Sequence, residues 1–60
     1  MKKYKVFRHN VEEIMEEQPL REFLNKTCRV TPSFLDMLKG LNINEGMTHW
    51  DSMTEITRLE

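Results

Sequence analysis

The 60-residue chain has one cysteine, two glycines, two prolines and no long apolar run. Each scarcity excludes something. A single thiol, Cys28, cannot form an intrachain disulfide, so the chain does not belong with the disulfide-stapled secreted scaffolds. A free thiol suits a reducing compartment. Lys2 and Lys3 are followed by polar-interrupted sequence, neither a signal peptide nor a membrane span, and the expected location is cytoplasmic. Charge of one sign is lacking too. Nine Lys+Arg stand against ten Asp+Glu, a net charge of −1, so no global field favours nucleic acid or membrane. Repeats and low-complexity tracts are missing, which leaves one folded domain, residues 1–60.

A domain this short buries only about 60% of the surface its unfolded chain exposes. Disulfides are excluded, so self-association is the expected source of extra stability, and a homodimer is the expected assembly.

Lys3 to His9 reads as a strand, with Tyr4, Val6 and Arg8 facing opposite to Lys5, Phe7 and His9. Asn10 and Glu13 have capping-box spacing, which predicts a helix from Val11 to about Gln18. Its periodicity breaks at Pro19, so a second helix is expected from Pro19 to Thr27, with Leu20, Phe23, Leu24 and Thr27 inward. Thr31 and Pro32 have the form of an N-cap and first helical residue. They predict a third helix that ends at Gly40, a left-handed C-terminal residue. Leu41–Asn44 alternates like a short strand before a turn at Glu45–Gly46. The segment from Met47 fits helix or strand. Strand is preferred for Thr54–Leu59, because the N-terminal strand needs a partner. The expected fold is α+β and mainly helical: three short helices, terminal strands and a helix-turn-helix-like core.

Two patches are candidate partner-binding surfaces. Glu12, Glu13, Glu16 and Glu17 make an acidic face that could meet a basic groove. On a helix they would form like-charge pairs at i,i+4, which is mildly destabilising, and the basic N-terminus of the same chain is an alternative partner for them. Met37, Trp50 and Met53, with Met47 and Phe34, are of the types enriched at interface cores; alternatively, Trp50 closes the small core. His9, Cys28 and His49 lack metal-ligand spacing, so no metal or cofactor is expected. A Cys28, His49, Asp51 triad would lack an oxyanion hole and a cleft, and the expectation is that the chain is not an enzyme.

The apolar positions Leu24, Cys28, Val30, Leu35 and Leu38, in a strand–helices–strand order, resemble those of Cro-like phage repressors. Asn25 and Arg29 depart from that pattern, which usually has a small apolar residue and a glycine there. The resemblance implies a DNA-binding regulator in which Thr31, Ser33 and Lys39 meet bases or phosphates and Lys2, Lys3 and Lys5 form a basic arm. Asp36 on the same helix face would oppose phosphates. The preferred expectation is therefore a small non-enzymatic binding protein, an inhibitor or regulator of phage or mobile-element type. It would act by protein–protein contact as a homodimer, and a DNA-binding regulator is the alternative.

Overall fold

The computed structural model describes residues 2–60. Strand β1 (Lys3–Arg8) turns into β2 (Val11–Glu16), and α1 (Glu17–Phe23) follows, continuing as a π-helical turn through Leu24–Cys28. Helix α2 (Pro32–Lys39) then leads to β3 (Gly46–His49) and β4 (Thr54–Arg58). All strand pairs are antiparallel, in the order β2-β1-β4-β3.

The mainly helical expectation of three helices is wrong: among the described residues there are two helices against a four-stranded sheet. The error lies in Val11–Gln18. His9 and Asn10 take φ of 52° and 63°, the left-handed pair that closes a two-residue hairpin, so Asn10 is a turn residue and not a helix cap. A helix would have stacked Glu12 on Glu16 and Glu13 on Glu17. The strand instead places Glu12 and Glu16 on one face and Glu13 on the other, opposite β1. Helix α1 begins at Glu17, so Pro19 sits in its first turn, where its missing donor has no intrahelical acceptor.

The terminal strands do pair with each other, Val6 opposite Ile56, as the partner argument predicted. Both are interior strands, flanked by β2 and β3.

One sheet face is covered. Tyr4, Val6 and Ile56 point into a core completed by Leu20, Leu24, Cys28, Leu38 and Leu41, with Met15, Phe23, Phe34 and Met47 packed on it. The wide turn at Leu24–Cys28 keeps both of its end residues buried, and the Arg29 amide donates back to the Leu24 carbonyl. Arg29, at φ 50°, supplies the left-handed residue where a glycine is more usual. Thr27, expected inward, is exposed.

Helix α2 starts as expected: the Phe34 amide donates to the Thr31 hydroxyl at 3.3 Å, with Pro32 next. Gly40 differs from expectation, at φ −82° in the right-handed region. Leu41–Asn44 is not a strand but a turn, closed by the Glu45 amide on the Asn42 carbonyl at 3.0 Å and by Asn44 at φ 70°. Arg58 Nη1 donates to the Leu41 carbonyl at 2.7 Å and ties this connection to the sheet.

Candidate interaction surfaces

The sheet's two edges carry different chemistry. Along β2, Val11 (55% exposed) and Ile14 (65% exposed) sit among Glu12, Glu13 and Glu16. On the helix side, Val6, Val11, Met15 and Phe23 wall a cleft of about 250 Å³ that Arg8 and Glu13 also line. The Arg8 guanidinium lies 5.8 Å from the Phe23 ring centroid, a cation–π distance.

At the opposite edge, β3, the β3–β4 turn and α2 enclose a wider cleft of about 510 Å³. Phe34 and Met37 form one wall, and Met47, His49 and Trp50 the other. Met37 is 64% exposed and Trp50 72% exposed, so the indole does not close the core. The Phe34 and His49 rings meet edge to face at 5.1 Å and join the two walls at the base. Met53 is exposed in the same hairpin turn at φ 53° but does not line the cleft.

This turn is held by a chain of polar contacts that the sequence pattern did not reveal. His49 Nδ1 lies 2.7 Å from Ser52 Oγ, which lies 2.9 Å from Thr54 Oγ1, which in turn is 3.7 Å from Cys28 Sγ. Thr54 is fully buried, so its hydroxyl needs these partners. The only sequence signal was Ser52 and Thr54 two apart, three and five residues after a histidine. Cys28 and His49 are thus linked through two hydroxyls, not directly. Cys28 is buried in the core and Asp51 lines the cleft, so the three do not form a nucleophilic triad.

The four glutamates do not form one face. Glu12 and Glu16 lie on the outer sheet face, Glu13 on the helix side, and Glu17 begins α1. Two of them meet the basic N-terminus: Lys5–Glu12 at 3.9 Å and Lys2–Glu17 at 3.8 Å. Lys3 reaches Glu60 at 3.9 Å, so all three lysines of the expected basic arm stand beside carboxylates of the same chain. Thr31 spends its hydroxyl on the helix cap, while Ser33 and Lys39 are exposed on α2 together with Asp36.

Tyr4 is fully buried, and among the described residues its hydroxyl has no hydrogen-bond partner. Burial raises its pKa above the ordinary phenol value, and the neighbouring Glu17 charge adds to the rise while Arg58 opposes it.

Among the described residues no three His, Cys, Asp or Glu side chains cluster as metal ligands, and no helix is long and apolar enough to cross a membrane. The chain matches no protein-family model, and neither curated proteins nor solved structures give a significant match to it.

Proposed function

We propose that the chain is a small non-enzymatic binding protein that works by protein–protein contact as a homodimer, in a reducing cytoplasmic compartment. It would serve as an inhibitor or regulator of the kind that phage and mobile elements encode. One observation carries this reading: Met37 of α2 and Trp50 of the β3–β4 turn stand exposed on facing walls of one cleft. Residues of these types are enriched at interface cores, and tryptophan is a recurrent hot spot.

A second copy is the proposed occupant. Two-fold association would place Trp50 of each protomer against the cleft of the other, with the same residues used on both sides. A typical interface buries roughly 800 Å² per partner, about a fifth of the 4237 Å² that the chain exposes.

The test is light scattering of the wild type, Trp50→Ala and Met37→Asp across protein concentration. The proposal expects a dimer for the wild type and monomers for both variants, with unchanged circular dichroism. A monomeric wild type at all concentrations, or variants that dimerise equally well, overturns it.

A further inference from the structure

We propose that the free edge of β2 is a strand-addition site for an extended basic segment of another protein. Arg8 and Val11 close a two-residue hairpin and are therefore a hydrogen-bonded pair, and the ladder alternates from there. Val11, Glu13 and Met15 bond inward to β1. Glu12, Ile14 and Glu16 consequently turn their backbone N–H and C=O groups outward, toward no other strand of the sheet. Such an edge is a template for a further strand.

The side chains select which strand. An added strand meets β2 residue by residue, with opposite residues on the same face. Along Val11–Glu16 the order is apolar, acidic, acidic, apolar, apolar, acidic. Among the described residues, Glu13 and Glu16 have no cation within ion-pair distance, and Glu12 has only an exposed contact with Lys5 at 3.9 Å. The complementary occupant carries Lys or Arg opposite the three glutamates and aliphatic residues opposite Val11, Ile14 and Met15. Those opposite Val11 and Met15 stand on the helix side, beside the cleft walled by Phe23.

A second copy is a poor occupant. Same-face pairing about a two-fold axis allows two central registers. One sets Glu13 against Glu13 of the partner strand, and the other sets Glu12 against Glu16. Both place like charges directly opposite, which destabilises a ladder. Nucleic acid is disfavoured by the same carboxylates. This inference uses the opposite sheet edge from the Trp50 cleft, so either can fail alone.

The test uses an isotope-labelled chain and the peptide Lys-Val-Ile-Arg-Lys-Val, the antiparallel complement of β2, followed by NMR and calorimetry at about 0.15 M salt. Controls are a scrambled peptide of the same composition and one N-methylated at alternate residues to block the ladder. Binding should be saturable, slow exchange of the Glu12, Ile14 and Glu16 amides, and leave β3 unchanged. The Glu13→Lys/Glu16→Lys variant should bind at least about tenfold more weakly. Ile14→Pro removes an outward donor from an edge strand, where proline is tolerated, and should abolish binding. Equal binding of the scrambled or N-methylated peptide, full affinity in Ile14→Pro with a folded spectrum, or no binding of the designed peptide overturns the proposal.

Discussion

The β2 and β3 edges belong to one sheet, yet they offer a partner different things. The β2 edge presents six residues of strand, three apolar and three acidic, with outward backbone groups. The β3 edge has four residues, and beside it α2 and the β3–β4 turn raise a cleft of aromatic and methionine side chains. One edge offers main-chain hydrogen bonds selected by charge. The other offers apolar side-chain burial, which charge screening by salt does not weaken. The connections differ too: a two-residue turn joins β1 to β2, whereas the four-residue turn Trp50–Met53 carries an exposed indole beside β3.

Removing the scaffold should erase both edges. Leu24, at the start of the π-helical turn, is fully buried in the core, and Leu24→Ala should cost about 2–5 kcal/mol. In a chain this small that should appear in thermal denaturation as loss of a cooperative transition at ordinary temperatures.

Trp50→Ala should separate the edges. The exposed indole contributes little to the monomer fold, so the melting temperature of the dilute protein should barely move. Self-association should weaken by about 2 kcal/mol or more, the loss typical of a hot spot, measured by sedimentation. Peptide binding at β2 should be unaltered.

These two sites differed in how much of them the sequence revealed. The N-terminal strand, the capped helix at Thr31–Pro32 and the pairing of Thr54–Arg58 with β1 were legible, because caps and branched residues act locally. The β2 strand was not. Asn10 followed by Glu13 has the spacing of a helix cap, and only the left-handed His9–Asn10 pair and the repulsion among stacked glutamates favour the hairpin. Met37, Trp50 and Met53 were picked out by residue type, but placing Met37 and Trp50 on facing walls depends on a contact between α2 and β3 that no local pattern encodes. The polar chain from His49 to Cys28 was hidden for the same reason, since it joins residues 26 apart between Cys28 and Thr54.

That chain supports the Trp50 turn. Ser52→Ala would remove a partner of both His49 Nδ1 and the buried Thr54 hydroxyl, and should destabilise the fold by about 1–2 kcal/mol in urea denaturation. It should weaken dimerisation as well, without affecting the β2 edge.

The smallest effect is expected at Tyr4, in the middle of the sheet. Its pKa is raised in the folded state, so the neutral phenol is favoured there. Its contribution to stability is complete below the unfolded value of about 10 and is lost as pH rises through the higher folded value. Tyr4→Phe removes an unpartnered hydroxyl, so stability at pH 7 should change by less than about 1 kcal/mol. The variant should show a smaller loss of stability than wild type as pH rises above about 10, measured by parallel urea titrations.

The most direct measurement is sedimentation equilibrium of the wild-type chain beside Trp50→Ala at micromolar to millimolar protein. The account predicts a reversible dimer for the wild type and a monomer with the same circular dichroism for the variant. A wild type that stays monomeric throughout, or a variant that dimerises with the same constant, would contradict it.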